Sequence, residues 1–181
     1  MRQAYDLEVE HCAFELHPGI PLEGQEVPWP PERRAAAHAR MQQVATAEGL
    51  AYASRTHWYN SVPAHEAALW ADDNGDGEAF RRAVYRAYFA EGLNIGATDV
   101  LSTIAESVQL DAAELRSALT ESRYRERVEE QFEFARAAGV TGVPTYIAGR
   151  YSMVGAQPYE VFRQLIETAQ AENGAHTPSP P

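Results

Sequence analysis

Few folds can accommodate the run "GVTGVPTYIAGRYSMVGAQPYEVF", which begins at Gly139. A helical pattern stops at Gly139, and a short apolar segment begins at Thr145 behind Val143-Pro144. "PTYIA", a Gly149-Arg150 turn and "YSMVG" spell a β-hairpin. A helix is expected from Pro158 to about Gln170. The rest of the chain must therefore build around a hairpin with a helix on either side of it in sequence.

Upstream, "YDLEVEHCAFEL" (5–16) opens as an alternating strand, with Leu7 and Val9 on one face and Glu8 and Glu10 on the other. Past His11 the phase shifts to Cys12, Phe14 and Leu16, so either a bulge intervenes or both faces are covered. "HPGIPLEGQEVPWPP" is too rich in proline for a regular element. From Glu32 the pattern turns helical behind Pro31 and stops at Gly49. Further helices are expected over 63–72, 77–91 and 99–108, the last capped by Thr98. Asp111 should cap one long helix over 112–138 that Gly139 ends. The order is strand, several helices, hairpin, helix.

Several function classes drop out on charge and residue content. The formal net charge of −11 argues against nucleic acid or an anionic membrane as partner, since both need clustered cations. All 15 bases are arginine, which removes Schiff-base and Walker-type lysine chemistry. One cysteine forbids an internal disulfide and any multi-cysteine metal site. No secretory pattern and no membrane-spanning apolar run is present, so a cytoplasmic location is expected.

Candidate sites within the chain mostly favour bland roles. Asp72, Asn74, Asp76 and Gly77 match the start of a calcium loop, but its twelfth position is Ala83 where a bidentate glutamate is needed. A turn and helix cap explains that segment, and calcium is rejected. The histidines at 11, 17, 38, 57, 65 and 176 show no metal-ligand spacing, and no metal or cofactor is expected. There is no G-x-S-x-G elbow and no G-x-G-x-x-G phosphate loop. Cys12 lies between Glu10 and Glu15, whose charges raise a thiol's pKa, so a packing role is expected.

The run from Gly139 resembles the C-terminal signature of the DsbA-like thioredoxin-fold oxidoreductases, in particular the FrnE-like branch. There a Gly-Val-Pro-Thr loop leads into a hairpin and a Gly-Ala-Gln-Pro helix start. "CAFELHPGIP" resembles the family's second strand and its exit, while "WYNSVPAHEAALWA" and "YRAYFAEGLNIGATDVLSTIA" resemble its inserted helical domain. The likeness covers about residues 5–170. It implies an α/β, thioredoxin-like (DsbA-type) fold with an inserted all-helical domain. The expected division is a partial thioredoxin-like domain at 1–30 and 139–171, a helical insertion at 31–138, and a disordered tail at 172–181.

Carried over by position, the resemblance implies that Pro144 is the family's cis-proline. Gly142, Val143, Pro144 and Thr145 would then form a substrate-binding loop, with the Val143 main chain pairing with an extended peptide. The family's catalytic half is a first strand running into Cys-x-x-C at a helix N-terminus, and no such motif occurs here. Met1 to Ala4 resemble only the end of that helix. No catalytic residue is therefore assigned, and the N-terminal βα unit is expected to be missing. In the family's sheet the first strand lies between the second strand and the one at Thr145, so two edges would be left unpaired.

Three readings follow. The first is a DsbA/FrnE-like thiol–disulfide oxidoreductase, inactive in dithiol exchange as it stands, whose partners are extended peptides or protein thiols and disulfides. The second is a non-catalytic peptide-binding module completed as a homo-oligomer or by a strand-donating partner. The third is a relative of the glutathione-dependent, 2-hydroxychromene-2-carboxylate type isomerases.

Overall fold

The computed structural model describes residues 5–175. Seven helices and four short strands occur among them. The chain divides into two compact units, one comprising the residues up to Leu16 together with those from Gln131 onward, the other His17–Glu130.

His17–Glu130 is helical and holds a contiguous apolar core. After the proline-rich connector, α1 (Pro31–Ala47) starts with proline in its first turn, where the missing N–H costs nothing. Its end is followed by Gly49 at a left-handed φ of 69°. α2 (Val62–Asn74) and α3 (Gly77–Phe89) are separated by two residues, and Asp76 caps α3 by accepting from the Ala79 N–H at 2.9 Å. α4 (Thr98–Ser107) takes Ala97 as its cap, with Thr98 the first helical residue. α5 (Ala112–Thr120) is capped by Asp111, which accepts from the N–H groups of Ala113 and Glu114 at 3.0 Å. The apolar stripes of α2 to α5 meet in a core whose largest fully buried side chains include Trp70, Phe80, Leu101 and Leu115. A two-residue ladder, β1 (Gln25–Glu26) against β2 (His57–Trp58), ties the connector to the segment before α2.

The long helix expected over 112–138 is in fact two. α5 ends at Thr120 and α6 (Arg125–Ala137) begins five residues later. Ser122 adopts a left-handed φ of 53°, the Ser122 N–H bonds the Leu119 carbonyl at 3.2 Å, and the Arg123 N–H bonds the Ala118 carbonyl at 3.0 Å. That is a Schellman closure, normally announced by glycine. Serine in the glycine position hid the break.

In the other unit, β3 (Thr145–Ala148) and β4 (Tyr151–Val154) form an antiparallel hairpin across Gly149-Arg150, in the expected register. α7 (Tyr159–Ala175) packs on it, with the Tyr146 and Phe162 rings edge-on at 4.7 Å. The helix runs past the expected Gln170, so residues 172–175 of the tail are helical, and 176–181, with His176, lie outside the described residues.

The expected strand at 5–16 is not a strand. Among the described residues no strand pairs with it, and its links run to side chains far along the chain and not to a ladder. The Tyr5 hydroxyl donates to Glu167 of α7 at 2.9 Å, and the Ala13 N–H to the Gln131 side-chain oxygen at 2.8 Å. A ladder needs a neighbour, and the alternation of Leu7 and Val9 has none to pack against. Val9 is exposed in consequence.

Candidate functional site: the Gly142–Thr145 loop and the edge of β3

α6 delivers the chain to the site through an orderly stop. Gly139 has φ 75°, its N–H bonds the Arg136 carbonyl at 3.0 Å, and the Val140 N–H bonds the Ala135 carbonyl at 3.0 Å. This is again a Schellman closure, here with the glycine it favours. The loop then passes through Gly142, Val143 and Pro144 into β3, and the Val143–Pro144 peptide is cis.

Hydrogen bonds tie the loop on both sides of Val143. The Thr145 hydroxyl donates to the Gly142 carbonyl at 2.6 Å. The Gly155 N–H donates to the Pro144 carbonyl at 2.7 Å, continuing the hairpin ladder by one residue. Val143 itself makes no main-chain hydrogen bond among the described residues, and it is 49% exposed. Exposed N–H and C=O groups of this kind are available to a partner.

The ladder fixes which way each residue of β3 points its main chain. In an antiparallel pair, opposite residues alternate between bonded and non-bonded positions. Since Pro144 bonds Gly155, Tyr146 and Ala148 also turn their main-chain groups toward β4. Thr145 and Ile147 turn theirs outward, to an edge with no strand beside it among the described residues. Side chains alternate between faces as well. Tyr146 faces α7, so Ile147 lies on the opposite face with Val154, and these two are 48% and 52% exposed. The four residues expected to bind substrate thus form one short loop, and Ile147 extends it as an open, uncharged edge.

Sequence reasoning named that loop but passed over the groups that brace it. Gly155, at φ 89°, supplies the N–H to Pro144, and the Gln157 side-chain amide donates to the Val154 carbonyl at 2.8 Å. Both lie in the Gly-Ala-Gln-Pro motif, which was legible as a signature without its mechanics.

Cys12 is remote from thiol chemistry of the dithiol kind. It is the sole free cysteine, its sulfur lies 3.6 Å from the Gln131 carbonyl, and burial followed by the charge of Glu10 pushes its pKa up. A raised pKa lowers the thiolate fraction, which is the reactive form. The acids of the calcium-like stretch are engaged elsewhere: Asp72 pairs with Arg81, Asp73 with Arg127, and Asp76 caps α3. No group of three or more metal-ligating side chains is found among the described residues. Nor is any described helix long and apolar enough to cross a membrane.

The chain is 32% identical to a solved structure of a probable DsbA oxidoreductase, SCO1869 from Streptomyces coelicolor, with a TM-score of 0.84 over 96% of this chain and 79% of that one. It is 31% identical to YwbO, an uncharacterized protein of Bacillus subtilis, over 91% of this chain and 84% of that protein. A 2-hydroxychromene-2-carboxylate isomerase shares the fold at 18% identity and a TM-score of 0.70, covering 97% of this chain and 88% of its own. Residues 1–167 match the DSBA-like thioredoxin domain. The chain belongs to the DsbA-like thioredoxin-fold family of disulfide oxidoreductases.

Proposed function

We propose that this chain is the substrate-holding part of a DsbA-type thiol–disulfide oxidoreductase of the FrnE-like branch, and that alone it carries out no dithiol exchange. The observation that carries this reading is the open main chain of Val143, on a loop fixed on both sides of it. An extended peptide laid along it gains main-chain hydrogen bonds as an added strand. The partner is an extended peptide or a protein disulfide.

Exchange needs an attacking thiolate, which bonds to one sulfur of the substrate disulfide while the other sulfur leaves as thiolate. A second thiol then attacks the mixed disulfide, releases the reduced substrate and leaves the enzyme oxidised. The single Cys12, with its raised pKa, supplies neither the pair nor a ready nucleophile. The dithiol belongs on a strand–helix unit. Its strand would pair along the β3 edge and its helix would cover the apolar face at Ile147 and Val154. The edge and the bare face support that completion independently, one by hydrogen bonding and one by apolar area. A cytoplasmic setting, where thiols stay reduced, is part of this proposal.

Val143→Pro tests the clamp. Proline deletes the free N–H of Val143 and leaves the ladder to β4 intact. The expected result is a folded hairpin with peptide affinity down about tenfold, read by fluorescence titration; loss of one or two main-chain bonds is of this order. Unchanged affinity would remove the Val143 main chain from the binding site.

A further inference from the structure

We infer that Gln157 is a positioning residue, whose side-chain amide holds the Gly142–Thr145 loop in its binding geometry without touching the substrate. The inference rests on the clamp reading of that loop. Val143 is the residue whose main chain is free, and it is useful only if its neighbours are fixed. On one side the Thr145 hydroxyl closes onto the Gly142 carbonyl at 2.6 Å. On the other, the Pro144 carbonyl is held by the Gly155 N–H at 2.7 Å.

Gly155 is not inside a strand. It lies one residue beyond β4, at a φ of 89° that side chains rarely adopt, in a turn leading to α7. What closes that turn is Gln157. Its Nε2 donates at 2.8 Å to the Val154 carbonyl, the last main-chain acceptor of β4. Val154 pairs with Thr145 at a non-bonded position, so its carbonyl faces away from β3 and would otherwise point outward. Gln157 therefore clips the turn across its mouth. The turn aims the Gly155 N–H, and that N–H fixes Pro144. A residue three positions after β4 thus sets a loop that lies ten residues and more before it in sequence.

The role requires a donor at this position and not merely a side chain of similar size. Gln157→Met keeps length and bulk and deletes the donor; Gln157→Glu keeps the shape and replaces the donor with an acceptor. Two readouts are taken on the full chain. One is amide hydrogen exchange at Gly155 relative to Tyr146 and Ala148, whose amides lie deeper in the same hairpin. The other is the affinity for a cysteine-free octapeptide of alternating valine and serine. Both variants are expected to speed Gly155 exchange about fivefold over the two reference amides, and to weaken peptide binding by a similar factor, the worth of one hydrogen bond. Exchange that rises equally at all three amides, or at none, overturns the inference. If wild type binds no peptide while Gly155 exchange still rises selectively, Gln157 braces the loop and the clamp reading is what fails.

Discussion

Glu66 is the charged side chain that is buried among the described residues. It is 3% exposed on α2, with one oxygen ion-paired to Arg125 at 2.9 Å and the other buried without a hydrogen bond among the described residues. Burial raises its pKa, Arg125 opposes the rise, and Glu129 adds to it. A folded-state pKa above the unfolded value means that the folded chain holds the proton more tightly. Its contribution to stability is therefore full below the unfolded pKa, near 4.3, and is lost as pH rises through the folded value. Arg125 is half-exposed and keeps its hydration when the acid is removed. Glu66→Gln should accordingly raise Tm by a few degrees at pH 7, where one kcal/mol corresponds to about 2–4 °C in a chain of this size. The gain should shrink toward zero by about pH 3.5 in thermal melts across pH, as the wild-type acid becomes protonated in both states. A lower Tm at pH 7 would mean that the Arg125 pair outweighs the burial cost. None of this was readable from sequence, where Glu66 is one acid among 26.

Helix ends divide sharply into those the sequence announces and those it conceals. Asp76 and Asp111 stand just before apolar stripes and act as caps, and Gly139 ends α6 as glycine should. At Gly139 a Cβ would meet nothing within 4 Å, so Gly139→Ala isolates the backbone term. It should destabilise by about 1 kcal/mol in denaturant unfolding, the cost of forcing a side chain into positive φ. Ser122 holds the same conformation without being glycine, and Ser122→Gly should gain a few tenths of a kcal/mol, since relief of the left-handed strain is offset by a freer unfolded chain. The hairpin was legible down to its register, because Gly149-Arg150 fixes a two-residue turn. The segment 5–16 was not. Its alternation is that of a strand, yet strand formation is a property of a pair, and one sequence says nothing about whether the neighbour is present.

The molecule joins a well-made helical unit to a hairpin layer whose edges have no strand beside them among the described residues. The helical unit has a closed apolar core around Trp70, Phe80, Leu101 and Leu115. The hairpin layer has α7 on one face, while Ile147 and Val154 are exposed on the other. An uncharged open edge beside an apolar face invites another strand. The loop proposed to hold substrate was legible in the sequence as a signature, but its bracing by Gly155 and Gln157 depends on which way carbonyls point, which only a structure gives. Membership of the DsbA-like family and the single cysteine together pose the central question, where the dithiol is. Intact mass and thiol titration of the protein isolated from its own cells answer it most directly. A strand–helix unit of about 30 residues adds roughly 3 kDa, and with it two titratable thiols beyond Cys12 are expected. A mass of 20.0 kDa with one thiol would contradict the oxidoreductase reading.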